Sequence, residues 1–197
     1  ELLSGTWAQR TVMGLAMFTI VFGCSMAVKE THIKRRLAYS TVSNLSYILF
    51  GAALMTPAGL FGGLCHMVFH AVMKISAFFC AGAIMHQTGE HYIHKMTGFG
   101  RRMPWVYGAF LMSALGLMGV PGGCGFISKW YLMSGMLESG TGVFSWLGPA
   151  VLLISALLTA GYLLPVTVRG FLPGKDYDYS RSDSLEPSGK MTIPLAI

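Results

Sequence analysis

The sequence carries little charge. Asp, Glu, Lys and Arg make up 11% of its 197 residues, whereas hydrophobic residues make up 53% and the mean hydropathy is +0.57. A soluble domain usually has about 25% charged residues. This deficit excludes an ordinary soluble domain and predicts an integral membrane protein that is surrounded by lipid.

The sequence also lacks the cysteine patterns of a disulfide framework or a zinc site. No CxxC pair exists, and the four cysteines all lie in apolar segments: Cys24, Cys65, Cys80 and Cys124. We interpret them as small buried side chains. There is no Ser/His/Asp set, phosphate-binding loop or dinucleotide fingerprint. We therefore predict no cofactor and no metal, and the sequence does not decide whether the protein is part of an enzyme.

The net charge of +6 does not indicate a nucleic-acid-binding protein. The basic residues cluster in two short loops, 29–36 and 86–104, without interleaved stacking aromatics. Short basic loops are typical of the cytoplasmic side of a membrane protein. We expect both loops to be cytoplasmic in a bacterial or archaeal cytoplasmic membrane, and we expect no nucleic-acid partner.

Four apolar stretches have the roughly 20 residues that a helix needs to cross the hydrocarbon core. They are residues 11–28, 37–56, 60–85 and 144–168. The sequence predicts an all-α fold, with a polytopic transmembrane helix bundle over residues 1–171. A turn-rich linker, 172–189, is predicted to lie on the cytoplasmic side, and 190–197 is predicted to start a further transmembrane helix. We therefore expect this sequence to be a fragment of a longer protein.

The apolar region 105–137 is too long for one straight span. At about 1.5 Å per residue it would extend about 50 Å, against a hydrocarbon core of about 30 Å. Its middle reads "GVPGGCG" (119–125), where proline removes a backbone donor and glycine tolerates non-helical angles. We predict two half-helices that are interrupted at Pro121–Gly123. Discontinuous helices of this kind mark ion and substrate sites in transporters.

All eight acids lie outside the apolar segments, but two lysines, Lys74 and Lys129, lie inside them. A charge at the bilayer centre costs about 2.5–3.5 kcal/mol even on lenient scales. A lysine near a helix end can extend to the headgroups, which suits Lys34 but not Lys74. We therefore predict functional roles for Lys74 and Lys129.

His66, His70 and Lys74 are spaced four residues apart in "HMVFHAVMK". This spacing places them on one helix face, each about 6 Å above the last. Histidine titrates near neutrality and a buried lysine can exchange its proton, so the stripe is a candidate proton path with bridging waters. Each histidine alone could equally be a satisfied buried hydrogen-bonding group. The HxxxH pattern lacks the further ligands that zinc requires.

Three segments carry a resemblance to a known family: "IKRRLAYSTVSNLSYILFG" (33–51), "HMVFHAVMKISAFFCAGAIMH" (66–86) and "GVPGGCGFISKWYL" (119–132). They resemble the antiporter-like membrane subunits, which include the D component of Mrp-type cation/proton antiporters. The proton-pumping subunits of respiratory complex I and of membrane-bound hydrogenases belong to the same superfamily. The second and third segments look closest to the Mrp branch.

The resemblance implies a fold of fourteen transmembrane helices with two inverted five-helix repeats, of which this chain is the second. It implies that Lys129 is the lysine of the broken twelfth helix, that Lys34 starts helix ten, and that the polar stripe lies on helix eleven. The sequence departs from the family pattern at three positions. His32 stands where an Asp is usual, Gly122 replaces a second proline, and Trp130 stands where complex I subunits often have an acid.

The resemblance predicts proton translocation, with coupled sodium transport as a variant, through Lys129, Lys74, His70, His66 and Lys34. The predicted partners are membrane lipid and the other subunits of an antiporter or respiratory complex. A proton-pumping subunit of an NADH:quinone oxidoreductase or a membrane-bound hydrogenase is the alternative. A haem- or quinone-anchoring or structural membrane module is a more remote alternative.

Overall fold

The computed structural model describes residues 6–174 and 184–192, without the side chain of Lys190. Eight α-helices and one short 3₁₀ helix, Ile93–Lys95, make up its regular structure, and no β-strand is present in the described ranges. The helices are α1 (Trp7–Lys29), α2 (Ile33–Ala53), α3 (Pro57–Thr88), α4 (Phe99–Arg102), α5 (Pro104–Met118), α6 (Cys124–Glu138), α7 (Val143–Phe171) and α8 (Gly189–Thr192). The predicted all-α class is confirmed.

Three of the described helices, α1, α3 and α7, are long and apolar enough to cross a membrane by length and composition. Helix α2, which we also expected to span, is long enough but more polar. Its polar side chains point into the bundle, where Ser40, Ser43, Asn44 and Ser46 are all buried. Its outer face carries exposed Val42, Leu45 and Leu49. The lower hydropathy of α2 therefore comes from an inward-facing polar stripe.

Local capping sets helix ends that differ from the predicted bounds. Helix α3 begins three residues before the predicted residue 60, because the Thr56 hydroxyl accepts from the Gly59 amide and Pro57 occupies the first turn. It ends at Thr88, and the next residue, Gly89, caps it with a φ of 70°. Helix α2 ends at Ala53 and not at 56, since Met55 turns the chain with a φ of 53°.

The predicted interruption of region 105–137 is confirmed. Helix α5 ends at Met118 and α6 begins at Cys124. Gly119 and Gly122 both adopt positive φ angles, 83° and 92°, which L-residues with a side chain rarely tolerate. The sequence between the half-helices therefore turns without strain.

Helix α3 packs against α2, α5 and α6, while α1 packs against α2 and α7. The approach of α3 to α6 is close enough that a Cβ on Gly62 would lie 2.7 Å from the backbone nitrogen of Leu132. Small residues at such crossings let membrane helices pack closely. This contact brings the polar stripe of α3 against the second half of the broken helix.

The two basic loops meet at one end of the bundle. The Ile33 amide donates to the His91 carbonyl at 3.1 Å, and the Ile93 amide donates to the Thr31 carbonyl at 3.0 Å. At the opposite end, Gln9 Nε2 donates to the Ala53 carbonyl at 2.8 Å. Loops 29–36 and 86–104 therefore lie on the same side, as their charge predicts.

The predicted division after residue 171 stays a prediction. Residues 175–183 and 193–197 lie outside the described part of the chain, including most of the predicted further transmembrane helix. Within the described part, the Leu185 amide donates to the Arg102 carbonyl at 3.0 Å. The second half of the linker therefore contacts the basic end of the bundle.

Candidate functional site

Lys129 lies at the break in the discontinuous helix. Its Nζ donates to the carbonyl oxygens of Leu117 and Met118, each at 2.8 Å, and the side chain is 8% exposed. The last carbonyls of a helix lack partners within the helix and carry the negative end of its dipole. The end of α5 therefore favours a positive charge. The amine of Lys129, in the second turn of α6, supplies it.

Lys74 lies in the middle of α3 and is 5% exposed. Its Nζ donates to the Leu37 carbonyl at 3.0 Å and to Ser40 Oγ at 2.6 Å, both on α2. The Tyr162 hydroxyl of α7 is 2.7 Å from the same Ser40 oxygen. The amine is thus held by neutral oxygens on α2, and α7 contributes a further hydroxyl to this group.

His66 is 1% exposed and bridges α2 and α6. Its Nε2 is 3.2 Å from Asn44 Oδ1, and its Nδ1 is 3.0 Å from Ser128 Oγ. The Asn44 amide nitrogen donates to the Ser40 carbonyl at 2.7 Å, so the amide oxygen faces His66 and Nε2 carries a hydrogen. A neutral His66 then accepts from Ser128 at Nδ1, whereas a charged His66 donates to it.

The Ser128 hydroxyl has a second partner that permits this exchange. It lies 3.1 Å from the Gly125 carbonyl, which can only accept. With neutral His66 the hydroxyl turns to Nδ1, and with charged His66 it turns to Gly125. Ser128 immediately precedes Lys129, so the hydroxyl that responds to the proton state of His66 lies one residue from the lysine.

His70 lies between His66 and Lys74 on α3. The His66 and His70 rings are nearly parallel, at 13°, with their centroids 6.0 Å apart. Its Nε2 is buried and makes no hydrogen bond to any described residue. A buried imidazole nitrogen generally needs a hydrogen-bond partner. A bridging water is a partner that would fit beside this face of α3.

Tyr47 joins the two lysine environments. Its ring centroid lies 5.0 Å from that of His66 and 5.6 Å from Lys129 Nζ, within the range of a cation–π contact. Its hydroxyl donates to Ser155 Oγ at 2.6 Å. The aromatic face therefore borders the polar stripe on one side and the broken helix on the other.

No carboxylate balances these lysines within residues 6–174 and 184–192. The acids that the structure describes there, Glu30, Glu90, Glu138 and Glu186, are all outside the buried set. Glu90 forms an ion pair with Lys95 at 3.5 Å, near the basic end. Lys74 and Lys129 thus rely on carbonyl and hydroxyl oxygens, which can serve both the charged and the neutral amine.

The structure brings together four of the five predicted site residues. His66, His70, Lys74 and Lys129 are buried around α2, α3 and the helix break. Lys34 is exposed at the start of α2, at the basic end, and does not join them. A role for Lys34 stays a prediction.

The neutral residues that hold the charged ones were not predicted from the sequence. They are Ser40, Asn44 and Tyr47 on α2, Ser128 on α6, and Tyr162 on α7. A usable signal existed for α2, because residues 40, 44 and 47 share one helix face and two of them are polar in a segment of span length. No comparable signal singles out Ser128 or Tyr162.

A helix bundle with a discontinuous helix and buried lysine and histidine side chains is typical of membrane transporters. The comparison with known families agrees, since the profile of the NADH:quinone oxidoreductase/Mrp antiporter transmembrane family matches residues 1–159. The chain belongs to this family, and the predicted resemblance is confirmed.

Among curated proteins, the chain is 38% identical over 183 residues to NADH-quinone oxidoreductase subunit N of Desulforudis audaxviator (strain MP104C), covering 93% of the chain and 36% of that protein. Among solved structures, it is similar to a chain of the Mrp complex from Dietzia sp. DQ12-45-1b. That match has 29% identity and a TM-score of 0.78, and it covers 91% of this chain and 33% of the other.

A chain of respiratory complex I from Thermus thermophilus shares the fold, with a TM-score of 0.82 at 22% identity, covering 96% of this chain and 39% of that one. The chain thus spans about a third of the length of the relatives it matches. The comparisons therefore establish the fold and the family of this chain, and they do not establish the activity of a whole protein.

Proposed function

We propose that this chain carries protons across a membrane as an antiporter-like subunit of a multisubunit complex. The observation that supports this most is Lys129, a buried lysine whose amine caps the end of α5 at the break. Family membership supports the same class of function. Lys129, His66, His70 and Lys74 form the proposed path, and bridging water links the groups that are not in direct contact.

In this mechanism each lysine alternates between a charged and a neutral amine. Two nearby positive charges disfavour each other, so a proton that arrives at one lysine promotes release from the other. His66 and His70 pass protons between the two lysines, and the Ser128 hydroxyl turns as His66 gains or loses a proton. The basic loops would face the cytoplasm, with Lys34 near the entrance on that side.

A moving counter-charge is needed to drive the alternation, and no acid is buried in the described helices. We infer that a carboxylate from another part of the assembly supplies it, because this chain covers about a third of its relatives. Neighbouring subunits in such a complex are the candidates for this carboxylate. Sodium is the candidate cation that is exchanged for protons.

Proton uptake into vesicles that contain the assembled complex tests the proposal. Lys129→Ala is expected to abolish uptake, because it removes the proposed proton carrier, and to leave assembly largely intact. Lys129→Arg is expected to fail as well, since arginine does not release its proton in proteins. Full uptake by the Lys129→Arg variant would show that a fixed positive charge suffices. Uptake measured with and without a sodium gradient separates coupled from uncoupled transport.

A further inference from the structure

The hydroxyl of Tyr162 occupies a position that the proposed path does not use. Tyr162 is fully buried on α7, and its hydroxyl lies 2.7 Å from Ser40 Oγ and 3.4 Å from Thr159 Oγ1. Ser40 Oγ is in turn 2.6 Å from Lys74 Nζ. One tyrosine hydroxyl therefore has two alternative oxygen partners, and one of these touches the proposed proton carrier.

Ser40 joins Tyr162 to Lys74 when the amine is charged. A charged amine can only donate, so Ser40 accepts from Lys74, and the second lone pair of the Ser40 oxygen accepts from the Tyr162 hydroxyl. Thr159, the other partner of Tyr162, donates its own hydrogen to the Ser155 carbonyl at 2.7 Å. Both partners of the tyrosine hydroxyl can therefore accept from it.

A neutral amine has a lone pair and can accept one hydrogen bond. Ser40 can then donate to Lys74, while its oxygen still accepts from Tyr162. Only the Ser40 hydroxyl turns, and Tyr162 remains its donor. No covalent bond forms or breaks apart from the proton exchange at Lys74 itself.

We propose that Tyr162 is a positioning residue for Lys74, and that its hydroxyl holds the Ser40 oxygen beside the amine in both charge states of the lysine. This inference rests on the proposed function and adds α7 to the helices that take part in it. The backbone of Tyr162 is fixed for the task, because Arg36 donates to its carbonyl at 2.8 Å. The tyrosine hydroxyl therefore stays beside Ser40 while the Ser40 hydrogen turns.

The row of polar groups continues from Thr159 towards the other lysine. Cys24 Sγ lies 3.9 Å from Thr159 Oγ1 and 3.0 Å from Ser155 Oγ. Ser155 Oγ accepts from Tyr47, whose ring faces Lys129. The state of Lys74 is thereby connected to the surroundings of Lys129 through buried groups on α1, α2 and α7.

Proton uptake by the assembled complex in vesicles tests this inference, measured across a range of pH. The titratable and charged groups that act on Lys74 and Tyr162 are His70 on α3 itself, Arg36 and Tyr47 on α2, and Cys24 on α1. We expect Tyr162→Phe to lower uptake about 3- to 10-fold, the range for losing one neutral hydrogen bond, and to displace the pH profile. Tyr107→Phe is the matched control, since Tyr107 is equally buried but its hydroxyl donates to the Met96 carbonyl at 3.3 Å.

A double-mutant comparison separates positioning from simple packing. Because Tyr162 acts through Ser40, the Ser40→Ala variant is expected to show the same defect, and adding Tyr162→Phe to it is expected to cause no further loss. The inference would be overturned if the double variant lost uptake by the product of the two single losses. An unchanged pH profile in Tyr162→Phe would also overturn it. If Tyr162→Phe fails to assemble, Ser40→Ala alone gives the test, since it removes the hydroxyl through which Tyr162 acts. A Ser40→Ala variant with wild-type uptake and pH profile would then overturn the inference.

The two proposals fail in different ways. A wild-type complex without Lys129-dependent proton uptake overturns the proposed function and this inference with it. A wild-type complex with Lys129-dependent uptake, and a Tyr162→Phe variant that matches the Tyr107→Phe control, overturns the role of Tyr162 alone.

Discussion

The amine of Lys129 donates to the carbonyl oxygen of Met118 at 2.8 Å, across the break between α5 and α6. A residue of one half-helix thus neutralises the end of the other, and the chain between them must turn sharply to permit it. Gly119, with a φ of 83°, makes that turn directly beside the lysine. The geometry links the backbone of the break to the position of the proposed carrier.

Gly119→Ala is therefore expected to lower proton uptake. An added Cβ would lie 3.0 Å from Cδ and 3.3 Å from Nζ of Lys129, so the lysine side chain must shift relative to its two carbonyls. The left-handed backbone adds a cost of about 1–2 kcal/mol for an L-residue. Uptake by the assembled complex and its melting temperature are the two measurements.

Gly122→Ala is the matched control for that variant. Gly122 also has a positive φ, 92°, but its Cβ would meet no atom within 4 Å. Both variants are expected to lower the melting temperature to a similar extent, while Gly122→Ala retains most of its uptake. Equal losses of uptake would mean that backbone strain, and not the displacement of Lys129, causes the defect.

The second prediction concerns Asn44, which holds His66 in one tautomer. Asn44→Leu removes the acceptor of His66 Nε2 and the donor to the Ser40 carbonyl. The buried His66 Nε2 would then lack its partner, which costs about 1–3 kcal/mol, so both thermal stability and uptake are expected to fall. Ser46→Ala is the control on the same helix, because Ser46 bonds only its own helix, at the Val42 carbonyl. A Ser46→Ala defect as large as that of Asn44→Leu would contradict the role of Asn44.

The charged part of the site could be predicted from the sequence, because lysine in an apolar segment has few structural explanations. The break was predictable for a similar reason, since region 105–137 is over-long and contains Pro121 between glycines. Family resemblance then gave the fold. These features depend on composition and spacing along one helix, which a single sequence contains.

The neutral groups of the site outside α2 could not be predicted. Tyr162 lies in an apolar helix with many large side chains, and only the packing of α7 against α2 brings its hydroxyl to Ser40. Ser128 becomes significant through the close approach of α3, which glycine permits. Every residue has a backbone carbonyl, and those of Leu117 and Met118 bind the lysine only because α5 ends there.

The third prediction concerns pH and the turn between α1 and α2. Glu30 accepts from the amides of His32 and Thr31 at 3.1 and 3.0 Å, and the His32 amide is the main cause that holds the pKa of this carboxyl below its ordinary value of 4.5. A carboxyl with a lowered pKa stabilises the folded turn above that ordinary value, and its contribution is lost as the pH falls through the lowered pKa. The turn is therefore fully stabilised near neutral pH and weakened in acid.

Hydrogen exchange of the Thr31 and His32 amides measures this effect. After correction for intrinsic rates, protection is expected to fall as the pH drops from about 6 to about 3, through the range in which a glutamate titrates. A Glu30→Gln variant, which does not titrate, is expected to show constant protection at these amides over the same range. Protection in the wild type that stays constant across the range would contradict the role of Glu30.

The last prediction concerns the contact between α3 and α6, which aligns the histidine stripe with Lys129. A Cβ on Gly62 would lie 2.7 Å from the Leu132 backbone nitrogen and 3.1 Å from the Ser128 carbonyl. Backbone atoms cannot move aside as a flexible side chain can, so Gly62→Ala is expected to separate the helices. Overpacking of this kind costs about 1–3 kcal/mol, and the melting temperature of the assembled complex is expected to fall.

The same substitution is expected to reduce proton uptake, because separation of α3 from α6 lengthens the 3.0 Å contact between His66 and Ser128. Gly82→Ala on the same helix is the matched control, since its Cβ would meet nothing within 4 Å. Alanine also improves helix formation there by about 0.5–1 kcal/mol, so this control is expected to match or exceed the wild-type melting temperature. If Gly62→Ala behaves like Gly82→Ala in both measurements, the helices can separate without consequence. The alignment of His66 with Ser128 would then not be a requirement for transport.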